Sequence, residues 1–79
     1  MKLNLLFFGS LVDATGIQKR ELSTDSLIDV SLLNEYLQSV FPLLKKHKYK
    51  IAVNQKMVEN EQELQDGDEV AFLPPFAGG

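Results

Sequence analysis

Apolar residues alternate with polar ones near both ends of the chain and recur at helical spacing in its middle. Residues 2–8 are apolar on both alternating sides, which predicts a strand whose two faces are both covered, by the core or by a partner. Residues 17–23 alternate but are more polar, and they predict a second strand in a hairpin with the first. The turn-rich connection at residues 9–16 is predicted to include a short helical turn at residues 10–14.

The middle of the chain predicts one main helix. Asp29 is the expected N-cap, because its short carboxylate can accept a hydrogen bond from a free backbone N–H of the first turn. The apolar positions that follow at helical spacing are Val30, Leu33, Leu37 and Val40 or Phe41. Pro42 is expected to end this helix or to open a short second turn through residues 43–44.

The last third of the chain predicts three more strands, two of them short. Residues 50–54 and 56–58 are expected to pair around a turn at Asn54 and Gln55. A polar connection at residues 60–65 leads to a turn at residues 66–68, in which Gly67 is available for a positive φ. Residues 69–73 form the last predicted strand.

This order of elements predicts an α+β domain in which one main helix packs across one face of a mixed sheet. The first and last strands are the most apolar, so we place them side by side in the centre. The predicted domain spans residues 1–73, and residues 74–79 are predicted to be a flexible tail.

The alternation divides the central strands into two sets of side chains. The set expected to face the helix is Leu3, Leu5, Phe7, Val70 and Phe72; the set expected to face away is Leu6, Phe8, Ala71 and Leu73, with Met57 as a possible member. One helix covers only one side of a sheet. The second set therefore predicts an exposed apolar surface for a partner, unless loops cover it.

Composition narrows the classes of function. A chain of 79 residues forms a single domain, and its net charge of −3 argues against nucleic acid as a partner. There is no cysteine, which excludes disulfides, thiolate metal sites and a thiol nucleophile, and which fits a reducing cytoplasm. No apolar run reaches the length of a membrane span, so no membrane partner is expected.

Two charged segments are candidate sites. The acidic cluster comprises Glu59, Glu61, Glu63, Asp66, Asp68 and Glu69. It lacks the spacing of a calcium loop, so it predicts a solvated face or a field that steers a basic partner. The basic run at residues 45–50 suits a helix C-terminus. There is no phosphate loop, paired histidine motif or nucleophile elbow, so neither a metal nor a bound cofactor is predicted.

The tail carries the candidate chemistry. Gly78 and Gly79 have no side chains and can thread a narrow channel, which makes the carboxylate of Gly79 the candidate reactive group. Pro74 and Pro75 are expected to hold the start of the tail extended and away from the body. Residues 74–79 would reach roughly 20 Å when extended. The alternative is an inert, frayed end.

Three segments of the chain resemble a known family: residues 6–8, residues 52–55 and, most specifically, residues 66–79. They are similar to the small subunit of molybdopterin synthase, a ubiquitin-like sulfur carrier. The resemblance implies a β-grasp fold and a subunit that is not catalytic alone. It also implies an activating enzyme that adenylates the terminal carboxylate with ATP. A thiocarboxylate would follow, and its sulfur would pass to cyclic pyranopterin monophosphate in a heterotetramer with the large subunit.

The same resemblance assigns roles to particular residues. It implies that Gly79, beside Gly78, carries the adenylate and then the thiocarboxylate. The partner interface it implies comprises Phe8, Met57, Leu73, Pro74, Pro75, Phe76 and Ala77. The sequence departs from the family at Leu73, where an aromatic residue is common, and at Val12, where a basic residue often stands.

Three other hypotheses remain open from the sequence. A thiamin-type sulfur carrier shares the fold and the Gly-Gly end, but it usually lacks the Pro74-Pro75 pair. A ubiquitin-like modifier would conjugate its C-terminus to lysine. A binding module would have a tail without chemistry.

Overall fold

The computed structural model describes residues 1–26 and 29–75. In chain order the elements are β1 (Lys2–Phe7), α1 (Ser10–Thr15), β2 (Lys19–Ser23), α2 (Val30–Val40), a 3-10 helix (Pro42–Lys46), β3 (Lys50–Val53), β4 (Lys56–Met57) and β5 (Glu69–Leu73). None of the helices within these ranges is long and apolar enough to cross a membrane.

The five strands form one mixed sheet in the order β2-β1-β5-β3-β4. β1 pairs in parallel with β5 and antiparallel with β2, while β3 pairs antiparallel with both β5 and β4. The first and last strands are therefore neighbours in the interior of the sheet, as predicted. The expectation of a mixed sheet with one main helix is confirmed.

Four strand boundaries lie one or two residues inside the predicted ones, and β3 and β4 each end one residue early. At β1 and β2 a local hydrogen bond turns the chain. β2 begins at Lys19 rather than at residue 17, because the Thr15 hydroxyl bonds both the backbone N–H and the carbonyl of Ile17 and holds a turn there. β1 ends at Phe7 rather than at Phe8. The carbonyl of Phe8 accepts from the N–H of Leu11 at 3.1 Å, and this bond leads the chain into α1.

The core lies between α2 and one face of the sheet. Its members from β1, β5 and α2 are Leu3, Leu5, Phe7, Val70, Phe72, Val30, Leu33 and Leu37, all of them buried. The rings of Phe7 and Phe72 stack with centroids 4.9 Å apart. Leu64 is the apolar residue that anchors the polar connection at residues 60–65 to this core.

The start of α2 is held in two ways. The Asp29 carboxylate accepts from the N–H of Leu32 at 2.8 Å, which confirms the predicted N-cap. The N–H groups of Val30 and Ser31 donate to carbonyls of the connection before β5, at Gln62 and Asn60. α2 ends at Val40, and Pro42 opens the 3-10 helix, so the proline marks both the end and the second turn that were expected.

The core assignment predicts opposite outcomes for two neighbouring leucines. Leu33 is fully buried, whereas Leu32 is 38% exposed. Leu33→Ala removes buried methyl groups and leaves a cavity, so we expect a loss of about 2–5 kcal/mol in the free energy of unfolding. Leu32→Ala is the matched control and should change it by less than about 1 kcal/mol. Urea unfolding followed by circular dichroism measures both, and equal losses would contradict the assignment.

Candidate functional site

The side of the sheet opposite α2, called the open face below, carries a row of apolar side chains. Leu6 pairs with Ala71, Ala71 with Ala52, and Ala52 with Met57, so these four residues lie side by side across four strands. Paired residues share a face of the sheet, which confirms that Met57 belongs with the set predicted to face away from the helix. Met57 is 56% exposed on the edge strand β4.

A second apolar pair extends this row towards the tail. Leu73 is half-buried at the end of β5, and Phe8 is 44% exposed directly after β1. The N–H of Phe8 donates to the carbonyl of Phe72 at 3.1 Å, which keeps Phe8 beside the last residues of β5. We call Leu6, Phe8, Ala52, Met57, Ala71 and Leu73 the apolar patch.

Ala71 departs from the prediction in one respect. It lies on the open face as expected, but it is buried rather than exposed. Its single methyl group sits between Leu6 and Ala52 on the adjoining strands, and these neighbours shield it. Ala71 therefore forms the floor of the patch, while Phe8 and Met57 present most of its accessible surface.

The first residue after β5 packs against the domain. Pro74 is half-buried, and a Cβ built on Gly9 would lie 2.8 Å from Cγ of Pro74. Gly9 has a φ of 59°, so its glycine serves both the backbone conformation and the close approach of the proline ring. The expectation that Pro74 stands away from the body is wrong, because the absent side chain of Gly9 gives the ring a place to pack. Pro75 is exposed.

The predicted tail residues Phe76, Ala77, Gly78 and Gly79 lie outside the described residues. The other predicted interface residues are close together. Phe8, Leu73 and Pro74 meet at the end of the central strand pair, and Met57 lies further across the open face.

The turn at residues 66–68 forms as predicted, with Gly67 at a φ of 87°. The acidic cluster, however, is not uniformly solvated, because Asp68 is buried. One carboxylate oxygen of Asp68 accepts from the Asn54 side chain at 2.9 Å and the other accepts from the N–H of Gln65 at 2.8 Å. Asp68 thus joins the β3–β4 turn, which presents Met57, to the start of β5.

Tyr49 and Ala52 were not predicted as parts of any site. The Tyr49 hydroxyl bonds Asn34 and Gln38 of α2, and its ring meets Phe72 edge-on at 6.0 Å. The signal available in the sequence was a single aromatic residue within a run of lysines. The alternation of side chains along β3 was the available signal that Ala52 lies on the open face.

Within residues 1–26 and 29–75, no three His, Asp or Glu side chains are grouped so as to hold a metal ion.

The combination of this sheet and one crossing helix also appears in known proteins. A model of the ThiS family matches residues 5–79. The chain belongs to the ThiS family. Its fold is the ubiquitin-like β-grasp that ThiS-family structures share.

Proteins with similar sequences include the molybdopterin synthase sulfur carrier subunit of Mycobacterium tuberculosis. That protein is 39% identical over 82 positions, which cover 100% of this chain and 99% of the relative. A solved structure from Pyrococcus furiosus superposes with a TM-score of 0.87 at 25% identity, covering 95% of this chain and 98% of that chain. A chain in the structure of the complex of subunits 1 and 2 of the molybdopterin-converting factor from Helicobacter pylori matches with a TM-score of 0.73 at 28% identity. The match covers 100% of this chain and 100% of that chain.

Asp68 provides a test of how the open face is held in place. Asp68→Ala leaves the Gln65 N–H and the Asn54 amide without their acceptor, so we expect a loss of about 1–3 kcal/mol in the free energy of unfolding. Glu61→Ala, at an exposed position of the same cluster, is the control and should have an effect within about 0.5 kcal/mol. Equal midpoints in urea for the two variants would show that the Asp68 bonds do not stabilise the fold.

Proposed function

We propose that this chain is the sulfur carrier subunit of molybdopterin synthase and that its reacting group is the C-terminal carboxylate of Gly79. The observation that carries the proposal is the position of the apolar patch at the exit of the tail. Phe8 and Leu73 lie beside Pro74, where the chain leaves β5. The relatives named as sulfur carrier subunits support the same role.

The first proposed step activates the carboxylate. A carboxylate is a poor electrophile, because it has no leaving group that departs readily. The Gly79 carboxylate would attack the α-phosphate of ATP in an activating enzyme, forming an acyl adenylate and releasing pyrophosphate. A sulfur nucleophile then attacks the acyl carbon and expels AMP, which leaves a thiocarboxylate. The chain itself needs no cysteine for this, in agreement with its sequence.

The second proposed step delivers sulfur to the substrate. The tail enters the large subunit of the synthase, and the thiocarboxylate sulfur displaces an oxygen substituent of cyclic pyranopterin monophosphate to form a carbon–sulfur bond. Water then hydrolyses the acyl–sulfur bond, which leaves the sulfur on the substrate, on the way to the dithiolene of molybdopterin, and restores the Gly79 carboxylate. Gly78 and Gly79 suit a narrow channel, because neither adds bulk beside the backbone. The chain contributes a bound nucleophile and its position, while the large subunit provides the catalytic site.

The apolar patch has a separate role in this proposal. Phe8 and Met57 are large and exposed, and burying them against a partner removes apolar surface from water. Docking therefore supplies most of the affinity, and the tail supplies the chemistry. The same patch would serve the activating enzyme and the large subunit, so these two partners should compete for the chain.

Removal of Gly79 tests the chemistry. We expect a chain that lacks Gly79, or one extended beyond it, to form no thiocarboxylate. In the shortened chain the terminal carboxylate stops one residue before the adenylation site, and in the extended chain Gly79 no longer carries it. The reaction contains the purified activating enzyme, ATP and a sulfide source, and the mass gain of replacing oxygen with sulfur is read by intact mass spectrometry. A normal thermal unfolding midpoint provides the control for folding. Full loading of the shortened chain would contradict the proposal.

Charge substitutions at two exposed apolar residues test the docking surface. Phe8→Asp places a carboxylate in the patch, and we expect it to weaken binding to the large subunit by at least tenfold, since hot-spot residues each contribute about 2 kcal/mol or more. Leu43→Asp is the matched control, because Leu43 is 49% exposed but lies on the 3-10 helix, away from the open face. Isothermal titration calorimetry measures both, and equal losses of affinity would place the interface elsewhere.

A further inference from the structure

Two lysines lie on opposite sides of the part of the apolar patch that is formed by β1 and β5. Lys19 on β2 pairs with Leu6, and Lys50 on β3 pairs with Leu73, so both lysines share the open face with their apolar partners. β2 and β3 are three strand positions apart, which separates these lysines by about 14 Å across the sheet. The central strands β1 and β5 lie between them and position Leu6, Phe8, Ala71 and Leu73, whereas the patch continues beyond Lys50 to Met57 on β4.

Neither lysine has an ionic partner in the described part of the chain. The ion pairs found within residues 1–26 and 29–75 join the N-terminal amino group to Asp25 at 4.0 Å and Lys2 to Glu21 at 3.9 Å. Lys19 and Lys50 are both exposed. A chain with a net charge of −3 therefore presents two lysines, without carboxylate partners in those residues, at the border of its exposed apolar surface.

The carboxylates of the open face lie farther from the tail. Asn4 pairs with Glu21 on one side and with Glu69 on the other, and this row is two residues before the Leu6 row along β1. The open face thus has Lys19 and Lys50 around the half nearest the tail. The half farther away has Glu21 and Glu69, and the only lysine found there in the described residues, Lys2, is paired with Glu21 at 3.9 Å. A partner of matching charge can dock in one orientation and is repelled in the reverse one.

We propose that Lys19 and Lys50 are specificity-determining contacts, and that they select partner proteins whose docking surface has an apolar centre with a carboxylate on each side. This inference rests on the proposed function, because it concerns the partners that take up the tail. A lysine at such a position can lay its aliphatic stem along apolar surface while its ammonium group stays at the border of the contact. Ion pairs at such a border act mainly on the rate of association and on the choice of partner.

The experiment compares two double variants that change the net charge equally. Lys19→Glu with Lys50→Glu reverses the charges that border the patch, whereas Lys45→Glu with Lys46→Glu reverses two exposed charges on the 3-10 helix, on the helix-covered side of the sheet. Association with the large subunit from the same organism is followed by stopped-flow fluorescence at low and high salt. Thermal unfolding shows that each variant is folded, and the corresponding Lys→Gln pairs provide a milder second set.

We expect the open-face variant to associate at least about tenfold more slowly than the control variant at low salt, since electrostatic steering changes association rates by tens to hundreds of times. This difference should shrink at high salt, because ions screen exposed charges. The Gln pair should show the same order with a smaller effect. Equal rates for the open-face and control variants would overturn the inference while leaving the proposed function intact. An unmodified chain that binds neither the large subunit nor the activating enzyme would overturn both.

A zero-length carbodiimide cross-link tests the contact directly. In the complex, carbodiimide joins a lysine to a carboxylate only where the two already touch. Peptide mass spectrometry is expected to recover Lys19 and Lys50 linked to aspartate or glutamate of the large subunit. Recovery of such links only from Lys45 or Lys46 would overturn the inference, because it would place the acidic groups of the partner on the helix side.

Discussion

The parallel pairing of β1 with β5 is the interaction on which the rest of the structure depends. It joins Leu5 to Val70 and Phe7 to Phe72, and the stacked rings of the second pair lie under α2. Because β1 begins the chain and β5 precedes the tail, this one pairing also brings Phe8 to the point where the tail leaves. The core and the candidate site are therefore two sides of the same pair of strands.

Because side chains alternate along these strands, neighbouring residues have different roles: one packs in the core, and the next lies on the apolar patch. Phe7 and Phe72 are buried under the helix, whereas their chain neighbours Phe8 and Leu73 belong to the apolar patch. A domain of this size buries a limited fraction of its surface, so side chains as large as Phe8 and Met57 left in water add nothing to its own core. Their exposure is understandable when a partner covers them, which is the use that the proposed function gives them.

The sequence was sufficient for the regular part of the fold. Period-two alternation predicted the two faces of β1 and β5, helical spacing predicted α2, and the chemistry of Asp29 and Pro42 predicted where that helix begins and ends. The apolar patch followed from the same alternation, together with the argument that one helix covers one side of a sheet. These features depend on residues that are close in sequence, which explains why the pattern reveals them.

The features that escaped prediction depend on particular side-chain contacts. A hydroxyl bond from Thr15 delays β2, and the buried carboxylate of Asp68 bonds Asn54 across two turns. Pro74 packs against Gly9 because two segments distant in sequence meet at the end of the central strands. No periodicity encodes such contacts, since each requires the fold to be complete before the two groups are near each other. Lys19 and Lys50 belong to the same class, because only the strand order shows that they border one surface from opposite sides.

Under the proposed function, the separation of patch and tail has a consequence, because the carrier would visit two enzymes. Once the patch had docked, the tail would enter the active site as part of the same complex, so its effective concentration there would no longer depend on the concentration of the carrier in solution. The packing of Pro74 against Gly9 limits the directions in which the tail leaves the patch, and this raises the effective concentration further. The terminal group can then react without contributing much to affinity. In this proposal a modified tail would leave the docking energy nearly unchanged, and the chain would dissociate from one enzyme and dock on the next through the same surface.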